Sequence, residues 1–241
     1  VKSEVFYTHE NLGQPVSFLP DGRAVYSRGD DANENFIDVI KLGNTNKGNT
    51  KTATFSLEKP VSQHWHATAS YTYTDANDVS SATSSQAISN WRFRPVYNAN
   101  EEVLSTSNFE IENSFVGTLR YENNFFGDTI TKFSLVFTSR DGNPFSYVYN
   151  NDANNEGNFG DNDLVYVPNP GEYVLTDPSR EAAFESFLES SGLSQYRGQV
   201  SPRNGFKAPR QNRWDLRVQQ ELPQIAKVRA TLFFDVRNLG N

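Results

Sequence analysis

The stretch Gln63-His64-Trp65-His66-Ala67-Thr68-Ala69-Ser70-Tyr71-Thr72-Tyr73-Thr74-Asp75 decides the fold. Between its ends, the odd positions hold Trp65, Ala67, Ala69, Tyr71 and Tyr73, and the even positions hold His, Thr and Ser. Side chains of a β-strand alternate between two faces, so this segment reads as a strand with one apolar and one polar face. The same period recurs downstream. Phe115, Gly117, Leu119 and Tyr121 alternate with Ser114, Thr118, Arg120 and Glu122. Phe133, Leu135 and Phe137 alternate with Lys132, Ser134 and Thr138, and Trp214, Leu216 and Val218 with Arg213, Asp215, Arg217 and Gln219. Val228, Ala230, Leu232, Phe234 and Val236 alternate with Lys227, Arg229, Thr231, Asp235 and Arg237. Val116, Val136 and Phe233 interrupt the polar rows.

Strands are expected at 1–9, 50–58, 63–75, 113–122, 129–140, 211–221 and 227–237. Three connections are short: Lys59-Pro60-Val61-Ser62, Asn123 to Asp128, and Leu222 to Ala226. The others, 10–49, 76–112 and 141–210, are long. Short turns at one end and long loops at the other are the layout of an antiparallel, all-β transmembrane barrel. Strands of roughly 9–11 residues cross a bilayer when tilted. Trp65, Phe125 and Phe126 fall beside short turns, and Tyr71, Tyr73 and Trp214 toward long loops, as two interfacial aromatic girdles require. An odd strand number and an end where a loop is due make 1–241 part of a larger barrel. A soluble β-sandwich also alternates, but it spaces its turns evenly and has no use for a loop as long as 141–210.

Composition agrees. Hydrophobic residues make up 36% of the 241 and aromatics 13%, with 18 Phe and 11 Tyr. That is a thin apolar surface, yet too aromatic for simple disorder. Zero Cys excludes disulfides, thiolate metal sites and Cys catalysis. The absence of Met reads as a processed product or an internal piece. No apolar run approaches the roughly 20 residues of a membrane helix. A net charge of −7 argues against nucleic acid as partner.

The longest loop carries a helix signal. Asp177 caps, Pro178 takes the first turn, and Gly192 ends the segment. Ala183, Phe184, Phe187 and Leu188 form one apolar edge, expected to pack on its own loop. Upstream, 141–170 holds Asp141, Asp152, Glu156, Asp161 and Asp163 and no Lys or Arg. Asp152, Asn154, Glu156 and Asp163 place oxygens at positions 1, 3, 5 and 12 with Gly157 at 6, the spacing of a Ca2+ loop. Glu at the fifth position and the short Asp at the twelfth depart from that pattern, and a solvated acidic loop is the plainer reading. Downstream, Arg197, Arg203, Lys207, Arg210 and Arg213 form a basic run, expected to pair with the acidic stretch, line a barrel mouth or hold anionic lipopolysaccharide. His64 and His66 share a strand face but lack a third metal ligand, and His9 stands apart. No hydrolase, zincin or phosphate-loop motif occurs, and the acids form no glycosidase dyad, so no enzyme activity is expected.

Several local patterns carry a family likeness: Ala67-Thr68-Ala69-Ser70-Tyr71-Thr72-Tyr73 with Ser89-Asn90-Trp91, Gly142-Asn143-Pro144-Phe145-Ser146-Tyr147, and Asn162-Asp163-Leu164-Val165-Tyr166-Val167-Pro168. Tyr196-Arg197-Gly198, Pro202-Arg203-Asn204-Gly205, Trp214-Asp215-Leu216-Arg217 and Phe234-Asp235-Val236-Arg237-Asn238-Leu239-Gly240-Asn241 continue it. In order and spacing they resemble the C-terminal barrel region of TonB-dependent outer-membrane receptors, Oar-like group. The resemblance implies a barrel of about 22 strands, of which these would be the fifteenth to twenty-first, around an N-terminal plug outside this segment. It further implies a bacterial outer-membrane location, contact with lipid and lipopolysaccharide, and coupling to TonB through the missing N-terminal part. Uptake of a large extracellular ligand is the implied activity; surface adhesion or complex formation with protein partners is the alternative. No catalytic residue or cofactor transfers.

Overall fold

A computed structural model describes residues 4–27, 32–98, 100–157 and 162–240. Residues 1–3 of the first expected strand, Asp161 of the acidic run and Asn241 lie outside the described residues. The longer strands are β1 (Glu4–His9), β2 (Ile40–Thr45), β3 (Asn49–Ser62), β4 (Trp65–Asp78), β5 (Asn113–Phe126), β6 (Thr129–Arg140), β7 (Gln211–Glu221) and β8 (Thr231–Val236). Two α-helices, α1 (Ala87–Arg92) and α2 (Glu181–Ser191), lie in the long connections. No helix among the described residues is long and apolar enough to cross a membrane. The chain divides into two units, one of Val1–Asn49, Ala76–Phe109 and Pro144–Phe206, the other of Thr50–Asp75, Glu110–Asn143 and Lys207–Asn241.

The second unit is an antiparallel meander in the order β8-β7-β6-β5-β4-β3. Its register confirms the period-two reading. Ala67, Leu119, Leu135, Leu216 and Val236 stand side by side across five strands. Trp65, Tyr121, Phe133, Val218 and Phe234 form the row nearer the tight turns, and Ala69, Gly117, Phe137 and Trp214 a row nearer the long connections. Aromatic rings touch along both flanking rows, Trp65 with Tyr121 at 4.6 Å and Phe137 with Trp214 at 4.2 Å between centroids. The opposite face pairs polar side chains: Thr68 with Thr118 at 2.5 Å, Ser56 with Ser70 at 2.9 Å, and Arg217 with Asp235 at 2.6 Å. Val116, Val136 and Phe233 sit on that polar face, where alternation places them.

Two expected boundaries move, for local reasons. The turn assigned to Lys59-Pro60-Val61-Ser62 lies instead at Gln63-His64, both in the left-handed region (φ 50° and 72°). Two such residues make a hairpin turn whose twist matches the strands. Pro60 stays within β3 because β3 pairs on one side only among the described residues, and an edge strand tolerates a missing donor. The last hairpin turns at Ala226-Lys227 (φ 48° and 67°), with Ile225 and Val228 bridged across it, so β8 begins at Thr231. The sheet does not close on itself among the described residues; β3 and β8 are its free edges.

The first unit differs in kind. The expected strand 1–9 forms over Glu4–His9, but it pairs with Ile40–Thr45, inside what the sequence presents as a loop. Helix α2 follows a 3-10 turn in which Asp177 accepts from the Ser179 amide at 3.0 Å, and Gly192 ends it at φ 78°. Its buried edge is narrower than expected. Leu188 is buried with Val167, Leu193 and Phe206, and Phe184 packs against that cluster, whereas Ala183 and Phe187 are exposed. Every buried apolar side chain among the described residues belongs to this unit, counting Ala76 at the far end of β4; the second unit buries none.

Candidate functional site

Three segments of the first unit are laced together by main-chain bonds. The Tyr26 amide donates to Asn154, Val96 to Asn162, Leu164 to Val96, and Tyr149 to Asp163, at 2.8–3.0 Å. They enclose a polar network. Arg23 and Asp163 are both fully buried and meet at 2.7 Å. A second guanidinium nitrogen of Arg23 donates to the Leu164 carbonyl. The group lies near the rings of Tyr97 and Tyr149, 5.4 and 5.5 Å from their centroids. Asp163 also accepts from the Ala153 amide at 2.8 Å.

The structure brings all four residues of the expected Ca2+ spacing into this network. Asp152 accepts from the amides of Glu156 (3.1 Å) and Gly157 (3.3 Å). Glu156 accepts from the side-chain amides of Asn154 (3.2 Å) and Asn162. Asp163 has Arg23 as its charge partner. Among the described residues no three acid or His side chains converge to hold a metal, and 158–161 of the spacing lie outside them. His64 sits in the tight turn, His66 pairs with Glu58 at 3.2 Å, and His9 is buried against Trp91. Of the basic run, Arg210 pairs with Asp141 of the acidic stretch at 2.8 Å. Arg203 reaches Asp78 at 3.0 Å, Arg197 reaches Glu185, and Lys207 pairs with Glu112 and Glu110.

Burial pushes the Glu156 carboxyl up to about 7, with Asp163 and Asp152 adding repulsion; the Asn162 and Asn154 amides oppose this. A raised carboxyl means the folded loop holds a proton that the unfolded chain releases near 4.5. Local stability therefore falls as pH rises from about 4.5 to about 7, by about 3 kcal/mol at most, and stays low above that. Protonated Glu156 needs an acceptor. The Asn162 Oδ1, buried and unpartnered, supplies one when its amide turns over. Amide hydrogen exchange of Ala153–Gly157 should show faster opening at about pH 8 than at about pH 5 after correction for intrinsic exchange. Glu156→Gln should remove most of that difference; an unchanged difference would place the titration elsewhere.

Beside this network lies a cleft of about 520 Å3, lined by Asp21, Arg94, Tyr97, Leu164, Tyr166 and Arg203, among others. Its size and largely apolar walls suit a small organic ligand. Arg23 and Arg94 stand alone in long loops, at no motif spacing, so the sequence gives no sign of their roles. Arg203 is visible only as part of the basic run. No protein-family model, no curated protein and no solved structure matches the chain.

Proposed function

We propose that this chain is the C-terminal part of a TonB-dependent outer-membrane receptor barrel of the Oar-like kind, taking up a large nutrient such as a siderophore, oligosaccharide or peptide. The observation that carries the reading is a sheet whose apolar face leaves its side chains at least partly exposed. Leu119 is 40% exposed and Leu232 63%, and no apolar side chain of the second unit is buried among the described residues. In water such a face would aggregate or recruit a partner; in a bilayer, lipid tails cover it. An aliphatic row between two aromatic rows is the profile of a membrane barrel wall. Trp65 and Tyr73 lie about 26 Å apart along one strand at roughly 3.3 Å per residue, close to the roughly 25 Å apolar band of such barrels. The free edges of β3 and β8 then pair with further strands of the same barrel. Tight hairpins face the periplasm, and the long connections, with their own core and cleft, face outward to meet the ligand.

Cell fractionation tests location, and uptake tests role. The full-length chain should appear in the outer-membrane fraction and migrate faster on gels unheated than boiled. Deleting its gene should abolish ligand uptake to the same extent as deleting TonB. Outer-membrane location without an uptake defect would leave an adhesion or complex-forming barrel in its place. Recovery in the soluble fraction would remove both readings.

A further inference from the structure

Arg94 is 5% exposed and Arg203 6%, and both line the cleft described above. Their surroundings differ. Arg203 is neutralised by Asp78, which accepts through its carboxylate at 3.0 Å and through its main-chain carbonyl. Arg94 donates to the Glu101 carbonyl at 2.8 Å and lies over the Phe6 ring, 5.0 Å from its centroid. No carboxylate among the described residues forms an ion pair with it; Glu101, Glu156 and Asp78 act on it only at longer range. The Nε atoms of both arginines are buried without a partner. A buried cation is costly unless an anion meets it. Burial and Arg203 lower the Arg94 guanidinium to about 10, which leaves it charged at neutral pH.

A guanidinium presents a planar fork that matches a carboxylate with two parallel bonds. Charge bookkeeping selects a single negative charge. Asp78 offsets Arg203 and Asp163 offsets Arg23, so Arg94 is the cation of the cleft wall without an ion pair among the described residues, and Asp21 and Glu101 on the same wall would repel a dianion. The remaining walls include Val96, Leu164 and Val200. We propose that this cleft binds an organic carboxylate, its head on Arg94 beside Arg203 and its apolar body against Val96, Leu164 and Val200. Binding stands on the cleft's own chemistry. Its use as the capture point of an importer rests on the function proposed above.

N-acetyl-leucine and its uncharged analogue N-acetyl-leucinamide separate charge from shape. Calorimetric titration of the purified full-length protein in detergent should show the acid binding about tenfold tighter or more. Arg94→Gln should bring the acid down to the level of the amide. Arg94→Lys should restore part of the difference, because the charge returns without the fork. Val200→Trp fills the cleft while leaving both arginines in place, and should block the acid in a protein whose thermal unfolding midpoint is unchanged. Equal binding of acid and amide, no saturable binding of the acid at millimolar concentration, or binding that survives both Arg94→Gln and Val200→Trp would overturn the site. Arg94-dependent binding without cellular uptake of the labelled acid would keep the site and remove its role in import. Uptake that Arg94→Gln leaves intact would keep import and remove this cleft as its capture point.

Discussion

If the sheet is a membrane-barrel wall as proposed, replacing Leu119 with arginine will destabilise the bilayer-inserted full-length protein by about 2 kcal/mol, the cost of a cation set inside a barrel's lipid face. Leu119 sits between Ala67 and Leu135 in the central row, with aromatic rows on either side of it along the strands. In the proposed barrel wall its position would lie inside the span from Trp65 to Tyr73, one row in from the Trp65 row and facing lipid. The same replacement on a sheet exposed to water should change stability by no more than about 0.5 kcal/mol. The two environments are thus separated by more than the error of a denaturant titration. Thr118→Arg supplies the comparison, one residue away on the polar face beside Thr68 and Val136. On the proposed reading it should cost little, because that face would meet water in a barrel lumen. Reversible urea unfolding in phospholipid vesicles, followed by tryptophan fluorescence, reads both. Equal losses for Leu119→Arg and Thr118→Arg would mean that the two faces share one solvent, and the membrane reading would fail.

The sheet was legible because its instruction is local and repeated. Alternation at Trp65–Tyr73 fixes which side chains share a face, and a slip of one residue would invert every strand. The cross-strand rows follow once the hairpins are tight, although the turn at Gln63-His64 was hidden behind Pro60, a stronger turn signal. What the sequence could not disclose is long-range. Strand β2 lies in a stretch of mixed polarity and forms because β1 offers it a ladder. Helix α2 was legible from Asp177, Pro178 and Gly192. Its buried edge was not, since Phe206 lies far along the chain and decides which side of the helix is covered. The acidic spacing from Asp152 to Asp163 pointed to converging oxygens, and the structure does gather them. Their cationic neighbour, Arg23, comes from 140 residues away in the chain, beyond the reach of any spacing rule.

That distance gives Arg23 the other large effect. Arg23→Met removes one member of a fully buried ion pair and leaves Asp163 charged with only the Ala153 amide to hold it. Breaking such a pair from one side costs about 3–5 kcal/mol, more than the pair itself contributes, because the surviving charge is stranded away from water. The loss includes the bond to the Leu164 carbonyl and the aromatic surroundings of Tyr97 and Tyr149. Since Arg23 joins the first long connection to the third, the effect should appear as opening of that local unit and not as global unfolding. The Tyr26 amide bonds from the first connection to Asn154 of the third, and the Val96 and Leu164 amides bond between the second and the third around Asp163, so these three report on it. Their hydrogen-exchange protection should collapse in Arg23→Met, while protection of Leu119 and Leu135 in the sheet stays at its original level. Adding Asp163→Asn should recover part of the loss, because a neutral amide costs less to leave unpaired than a carboxylate does. If Arg23→Met leaves the Val96 and Leu164 amides protected, the pair does not hold these loops together. If Asp163→Asn recovers nothing, the loss comes from the carbonyl bond and the packing, not from the stranded charge.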